Sequence, residues 1–198
     1  APYLIPLFVT EFMDKYEDVE LDFDEMMTQD IIDALKKEKI DVGILVTPVN
    51  EKGMQEIPLY YELFVAYVNP QNPLFQKDKL SYDDLYVEDM WLLKEGHCFR
   101  HQAMNLCHDK SNNKSTRLQF ESGSIETLKR IVERQHGFTL LPELATTNLT
   151  EKEYELVRNF AKPQPVREVS LLVRRTFMKK KLIDLLKDEI KSSVPQIL

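Results

Sequence analysis

The two cysteines of this 198-residue sequence lie in one short segment, GHCFRHQAMNLC, which runs from Gly96 to Cys107. Cys98 follows MWLLKEG, a pattern that predicts a strand, and it opens a helical pattern with His97 and Arg100 beside it. The N-terminus of a helix and nearby cationic groups favour a thiolate, which is the reactive form of cysteine. Most single cysteines are instead small buried apolar side chains. From position alone, both thiol chemistry and a packing role stay open for Cys98, and packing is the commoner role of a single cysteine.

The spacing of the two cysteines limits what they can do together. Nine residues of α-helix rise about 13.5 Å and turn through roughly 900°, which puts Cys98 and Cys107 on opposite faces. A disulfide needs Cα atoms within about 7 Å of each other. A disulfide that closes a loop of about ten residues stabilises by roughly 2–3 kcal/mol, similar to the packing of a short helix. Either the two cysteines never pair, or pairing dismantles the helix.

A metal site is the third reading of the same segment. His97 and His101 stand four residues apart, on one face of the expected helix, and His108 follows Cys107. No carboxylate or second cysteine falls at the usual zinc spacing, and HCFRH lacks the glutamate of the HExxH pattern. We therefore expect no metal and no other cofactor.

The composition describes a soluble protein with enough apolar residues for a real core. The sequence is 43% hydrophobic and 30% charged, with a net charge of −7. This acidic balance disfavours direct contact with nucleic-acid phosphates. No apolar run approaches the ~20 residues of a membrane span, and the first residues lack a basic leader. We expect a cytoplasmic protein with no membrane partner.

The apolar pattern alternates between helices and strands. Expected helices carry Leu4, Phe8, Phe12 and Tyr16, begin near Thr28, Ser81, Cys98 and Ser124, and run over residues 178–191. Expected strands cover residues 19–25, 42–46, 58–70, 90–93, 117–120, 138–142 and 166–175. Alternation of this kind favours an α/β architecture with mainly parallel sheets.

The length favours two α/β units over one very large sheet. The expected boundaries are VNPQNP near Asn69 and KPQP near Lys162. The chain opens on a helix, whereas every later helix has a strand before it. We expect that an upstream strand is missing and that the chain is part of a longer protein.

Hydroxyl side chains are expected at two further helix starts. Thr28 is predicted as an N-cap, and Ser122 to Ser124 occupy the same position after RLQFE. Helix N-termini beyond the carboxyl ends of strands line the ligand crevice of open α/β sheets. With Cys98, these side chains predict a site for a small polar ligand, although ordinary capping explains each of them singly.

The cysteine segment closely resembles the redox switch of the peroxide-sensing members of the LysR-type transcriptional regulators. The specific part is GHC with the second cysteine nine residues later. PYLIP, IPLYYELFVAYVNPQNPL, FESGSIETLKRIVE and GFTLLPELA resemble the regulatory half of LysR-type proteins in general, so the resemblance covers the whole chain.

This resemblance implies that Cys98 is the peroxidatic cysteine, which hydrogen peroxide oxidises to a sulfenic acid. Cys107 matches the resolving cysteine, which condenses with Cys98 to a disulfide. A glutaredoxin- or thioredoxin-type reductant would reset the switch.

Further site residues follow from the resemblance alone. Gly96 and His97 match residues around the peroxide pocket, and Thr28 matches a hydroxyl that hydrogen-bonds peroxide. Arg167, in KPQPVREVS, matches an arginine that supports the thiolate. His101 stands where relatives carry an acidic residue.

The fold that the resemblance implies is two Rossmann-like α/β subdomains joined by two crossover strands, similar to periplasmic binding proteins. Residues 1–68 and 167–198 would form subdomain I, and residues 69–166 would form subdomain II with the switch. The helix-turn-helix domain is absent from this sequence, so DNA would be contacted only through that missing domain. The family forms homodimers and tetramers, and it is not a family of enzymes.

Two other functions remain open at this point. One is a LysR-type effector domain that binds a small metabolite and has redox-silent cysteines. The other is a thiol peroxidase, which shares the first chemical step but must turn over.

Overall fold

The computed structural model describes residues 1–95, 97–107 and 122–195. Its helices are α1 (Ile5–Lys15), α2 (Thr28–Lys36), α3 (Cys98–Asn105), α4 (Ile125–Arg134), α5 (Glu151–Tyr154) and α6 (Lys180–Ser193). Its strands are β1 (Gly43–Thr47), β2 (Met54–Val68), β3 (Lys79–Leu80), β4 (Phe138–Pro142), β5 (Val157–Phe160) and β6 (Val166–Arg174). The chain divides into a first unit, Ala1–Glu62 with Arg167–Leu198, and a second unit, Leu63–Val166.

The chain passes between the two units inside strands. The first passage lies between Glu62 and Leu63 in the middle of β2, whereas the sequence placed the boundary after Val68. The return lies between Val166 and Arg167, at the start of β6. Both boundaries between the two units therefore fall within or at the start of a strand and not in a loop.

The first unit is built around the antiparallel pair β1 and β6, with Gly43 opposite Leu172. A core cluster of Ile32, Leu35, Leu45, Met54 and Leu172 joins α2 to these strands. The prediction of a helix over the Leu4, Phe8 and Phe12 stripe is confirmed by α1, in which Phe8 and Phe12 are fully buried.

A hydrogen-bonded carboxylate joins β1 to β6 in this unit. The Thr47 hydroxyl donates to Glu168 Oε1 at 2.7 Å, and the Ser170 hydroxyl donates to the same oxygen at 3.3 Å. Hydrogen bonds from Tyr61 and then Thr47 hold the pKa of Glu168 below its usual range, against a smaller opposing effect of burial. Glu168 is therefore an anion that accepts from several hydroxyls.

The predicted strand over residues 19–25 is wrong. Residues 19–27 form no strand, and most of their acidic side chains are exposed. Alternating apolar and acidic residues describe a half-buried strand only where a neighbour offers a hydrogen-bonding edge. No described residue pairs with this segment.

The second unit is organised by the carboxyl half of β2. β4 pairs antiparallel with it, from Phe64 opposite Pro142 to Val68 opposite Phe138. β5 also pairs antiparallel with β2, and β3 runs parallel to β5. The expectation of mainly parallel sheets is wrong for the described ladders, because apolar periodicity shows which face is buried and not which way a strand runs.

The MWLL segment does not form the predicted strand. It contributes two isolated parallel bridges, Met90 with Phe138 and Leu93 with Ser122, and both Met90 and Leu93 are buried in the core. The expected strand over residues 117–120 lies outside the described residues, and so does Gly96. Within MWLL, Met90 contacts Cys107 and Leu93 accepts a hydrogen bond from Arg100, so this segment contacts the cysteine segment.

Two helix starts differ in detail from the sequence prediction. α2 begins at Thr28 with Met27 as its N-cap, so the prediction of Thr28 as the cap is wrong by one residue. Ser124 is the N-cap of α4 as expected, but its side chain makes no capping hydrogen bond. Within the described residues, no helix has both the length and the apolar character that crossing a membrane demands.

Candidate functional site

The helix α3 starts at Cys98 and ends at Asn105, with His97 as an extended N-cap residue. Beyond the helix, the Leu106 amide donates to Ala103 O at 3.2 Å and the Cys107 amide donates to Met104 O at 3.1 Å. These bonds continue the last turn as far as Cys107. The two cysteines therefore bracket a single helical segment, and Cys107 lies just past its end.

One face of this segment is fastened to the core of the second unit. Phe99 and Ala103 are buried, with 7% and 2% of their surfaces exposed. Leu106 and Cys107 pack against the same core. The Phe99 ring stacks on Phe64 of β2, with centroids 5.2 Å apart. Apolar contacts at this spacing hold the segment helical, because burial of a face stabilises a helix too short to stand alone.

Both cysteines are free thiols, and the helix keeps them apart. The seven steps from Cys98 to Asn105 rise about 10.5 Å, and Cys107 is two residues further on. A disulfide requires Cα atoms within about 7 Å. The bond can form only if α3 is at least partly unwound.

Cys107 is held as a neutral thiol. Burial raises its pKa to about 12. Its Sγ donates to the Met90 sulfur, which lies 3.7 Å away. At neutral pH this thiol is a poor nucleophile, since the thiolate is the reactive form.

Cys98 has a different setting. It is half-buried, it is the first residue of α3, and it is not part of the core cluster. Arg100, which the sequence placed beside it, donates through Nη1 to the backbone oxygen of Leu93 at 2.7 Å. That bond commits part of the guanidinium to the backbone.

The segment before α4 lies beside His97. A Cβ atom built on Gly123 would be 4.0 Å from His97 Nε2. The backbone brings this about, because Leu93 bridges to Ser122 and the Lys94 amide donates to Ser122 O at 2.8 Å. The structure therefore gathers His97, Cys98 and the Ser122–Ser124 segment in the second unit.

The two serines of that segment have different environments. Ser122 is buried, its hydroxyl donates to Ser124 O at 3.0 Å, and the Ser124 amide donates to Ser122 Oγ at 3.0 Å. This closed pair of bonds is a local turn, which explains Ser122 without a ligand. Ser124 is exposed, and its side chain makes no capping bond.

Gln102 is a residue that the sequence analysis missed. It follows Cys98 by four residues, so both side chains share one face of α3. Its Oε1 is buried and accepts no hydrogen bond from any residue that the structure describes. An unsatisfied buried acceptor costs about 1–3 kcal/mol. Glutamine in helical sequences is usually a solvated residue, and only the packed structure shows this oxygen as an unused acceptor.

The other two predicted residues belong to the first unit. Thr28 is half-buried at the start of α2. Arg167, on β6, donates through Nε to Glu62 Oε2 at 2.8 Å, and the Glu62 side chain is only 3% exposed. The guanidinium neutralises a buried carboxylate within its own unit. Predicted Gly96 lies outside the described residues.

The remaining features of the site concern metals and cavities. Among the described residues, no group of three or more His, Cys, Asp or Glu side chains is gathered as metal ligands. His101 is exposed on α3. Two cavities in the first unit have volumes of about 430 and 230 Å³, and neither is lined by Thr28.

Comparison with known proteins gives consistent matches. The model of the LysR substrate binding domain matches residues 1–194. The chain is 29% identical over 175 residues to a hydrogen peroxide-inducible genes activator of Haemophilus influenzae, covering 88% of this chain and 57% of that protein. It is 28% identical over 174 residues to the DNA-binding transcriptional dual regulator OxyR of Escherichia coli, covering 88% of this chain and 56% of that protein.

A solved structure resembles the chain over nearly its whole length. Reduced OxyR from Porphyromonas gingivalis aligns with a TM-score of 0.87 and 34% identity, covering 98% of this chain and 89% of that one. The chain spans a little over half the length of the two sequence relatives.

Proposed function

The chain belongs to the LysR substrate-binding domain family, and from that premise we propose that it is the peroxide-sensing regulatory domain of a LysR-type transcription regulator. Cys98 would react with hydrogen peroxide, and Cys107 would then close a reversible disulfide. The observation that carries this proposal is the pair of free thiols at the two ends of one core-anchored helix.

The first step is oxidation of Cys98. Its thiolate sulfur attacks one oxygen of hydrogen peroxide, the O–O bond breaks, and hydroxide leaves with the electron pair. Both cysteines are half-buried, but Cys107 packs against the core, and burial there raises its pKa to about 12, which keeps the thiol protonated. The order of reaction follows from this difference.

The second step is closure. Once Cys107 leaves the core, its sulfur attacks the sulfenic acid of Cys98, the S–S bond forms, and water leaves with the thiol proton. A dithiol reductant of the glutaredoxin or thioredoxin type returns two electrons and restores both thiols.

The free energy gained from the disulfide and the free energy gained from packing α3 on the core are of similar size. A loop of about ten residues gives a disulfide roughly 2–3 kcal/mol of stabilisation. The opposing term is the burial of one face of α3, in which Phe99 is 7% exposed and Ala103 is 2% exposed. Burial of a single phenylalanine is worth about 1.5–3 kcal/mol. A helix when reduced and a bonded loop when oxidised are therefore close enough in energy to act as a switch.

Several residues would support the reaction at Cys98. Gln102 offers a buried acceptor on the same helical face, suited to a peroxide or sulfenic hydroxyl. We assign His97 and Gly96 to the peroxide pocket. Thr28 and Arg167 are assigned on the resemblance alone, and Arg167 would have to share its charge with Glu62.

The partners of the whole protein follow the same proposal. DNA would be bound by a separate helix-turn-helix domain, and the regulatory domain would form homodimers or tetramers in the cytoplasm. LysR-type regulators are transcription factors and not a class of enzymes. Peroxide would be a signal and not a substrate for turnover.

The test is addition of equimolar hydrogen peroxide to the reduced domain, followed by peptide mapping without reductant. We expect one linked peptide pair that contains Cys98 and Cys107 and that a dithiol separates. The Cys107→Ser variant should stop at sulfenic acid or a mixed disulfide, and Cys98→Ser should not react. Accumulation of sulfinic acid with both cysteines unlinked would contradict the proposal. Sustained peroxide consumption with excess dithiol would indicate a thiol peroxidase instead.

A metabolite-binding domain with silent cysteines is the second candidate. The observation that favours it is Ser124, which is exposed at the N-cap of α4 and whose side chain makes no capping hydrogen bond. In that case Cys98→Ser should keep the rise in melting temperature that the metabolite produces, since a ligand of the folded state stabilises it.

A further inference from the structure

Met90 and Cys107 form a sulfur–sulfur contact that the proposed chemistry does not use. The Cys107 Sγ donates to the Met90 Sδ at 3.7 Å. Met90 is only 8% exposed and belongs to the core of the second unit. The contact is therefore part-buried, between a core methionine and a half-buried cysteine that packs against the core.

Met90 is fixed independently of α3. Its backbone bridges to Phe138 of β4, its amide donates to Val87 O at 3.1 Å, and the next amide, of Trp91, donates to Phe138 O at 2.8 Å. Cys107, by contrast, is held by the last turn of the cysteine segment. When that segment unwinds, Cys107 moves away, whereas Met90 stays bridged to Phe138 of β4.

The chemistry of the pair favours one protonation state. A thioether is a weak acceptor and has no hydrogen to donate. It can accept from a thiol, but it offers only lone pairs to a thiolate. The contact thus adds to burial, which already keeps the Cys107 thiol neutral.

We propose that Met90 is a positioning residue for the resolving cysteine: its thioether holds the Cys107 thiol in the core and slows the second step of the switch. This inference rests on the proposed function. Closure requires Cys107 to leave Met90, so the contact raises the barrier to closure. The first step, at Cys98, does not involve it.

The rate of closure also decides how Cys98 survives excess peroxide. A Cys98 sulfenate that waits can react with a second peroxide, gaining one oxygen as the O–O bond breaks and water leaves, to give sulfinate. Slow closure therefore makes the switch sensitive to overoxidation. Met90 would set the balance between disulfide and sulfinate.

The test compares Met90→Leu with the parent domain, because leucine keeps the volume and removes the sulfur. Closure of the disulfide after one equivalent of peroxide should become about threefold faster, as expected for loss of one weak hydrogen bond. Oxidation of Cys98 to sulfenic acid in the Cys107→Ser background should be unchanged. Sulfinate formed at high peroxide should fall. Met104→Leu is the matched control, since Met104 is 40% exposed on the same segment.

A spectroscopic measurement separates the contact from simple packing. In the Cys98→Ser background, Cys107 is the only thiol, so its S–H stretching band can be assigned without ambiguity. Met90→Leu should move this band to higher frequency, and Met104→Leu should not. An unmoved band, or a moved band with an unchanged closure rate, overturns the role of Met90 while the disulfide itself still forms. A parent domain that forms no Cys98–Cys107 disulfide overturns the proposed function as well.

Discussion

In the dithiol form, Phe99 packs α3 against the core of the second unit. A substitution of Phe99 should therefore shift the equilibrium between the dithiol and the disulfide. Its ring is 7% exposed and stacks on Phe64 at 5.2 Å. Because Phe99 is next to Cys98, a disulfide that unwinds α3 must pull this ring out of its stack. The contact therefore stabilises the dithiol form and not the disulfide form.

The size of the shift follows from that contact. Phe99→Leu removes an aromatic pair worth about 0.5–1.5 kcal/mol and roughly one buried CH₂ group, worth about 0.8 kcal/mol. A loss of about 1.5–2 kcal/mol that falls on the dithiol form alone makes the disulfide harder to reduce. Since 30 mV corresponds to about 1.4 kcal/mol for two electrons, the reduction potential should become about 30–45 mV more negative.

The assay is equilibration of the domain in glutathione or dithiothreitol buffers, with the disulfide fraction measured after acid quenching. Phe160→Leu is the matched control, because Phe160 is 2% exposed in the same core but lies on β5 and not on the cysteine segment. It should lower the stability of both redox forms and leave the potential unchanged. Equal potentials for Phe99→Leu and Phe160→Leu would refute the reasoning, because they would mean that Phe99 keeps its packing in the disulfide form.

Three further outcomes test other parts of the account. At pH 7.5, alkylation of Cys107 in Cys98→Ser should be about 10³-fold slower than alkylation of an ordinary thiol, because the raised pKa of Cys107 keeps its thiolate rare. The difference in rate should shrink as the pH rises towards about 12, and equal rates at pH 7.5 would contradict the prediction. A hydrogen bond from Tyr61 is the main cause of the lowered pKa of Glu168, so the contribution of this carboxylate to stability is present at neutral pH and lost as the pH falls through that pKa. The urea midpoints of Glu168→Gln and the parent should therefore converge in acid, and a constant difference between the two midpoints at every pH would count against this. Gln102→Leu should raise the free energy of unfolding of the reduced domain by about 1 kcal/mol, because it removes a buried acceptor without a partner among the described residues. It should also slow the oxidation of Cys98 measured by stopped flow, and an unchanged oxidation rate would contradict the proposed role of Gln102 at Cys98.

Local patterns in the sequence predicted the elements that pack on their own neighbours. The stripe of Phe8 and Phe12 became α1 because its spacing matches the helical period, and FTLLP became β4 because a short continuous apolar run suits a fully buried strand. The helix that opens at Cys98 was also predicted, and it is α3.

The failures came from contacts distant in sequence. Residues 19–25 have the period of a strand but no described neighbour to pair with, and MWLL has the composition of a strand but makes only single bridges. The sulfur of Met90 beside Cys107, and the buried oxygen of Gln102, depend on how α3 lies on the core. No spacing rule contains that information.

We propose that α3 and the Cys98–Cys107 disulfide exclude each other. Hydrogen–deuterium exchange of the amides over residues 101–107 tests it directly, in the dithiol form and in the purified disulfide form. In the dithiol form these amides are bonded within the helix and its last turn, so they should be protected. We predict that the disulfide form loses this protection. Equal protection in both forms, with the disulfide intact, would contradict it.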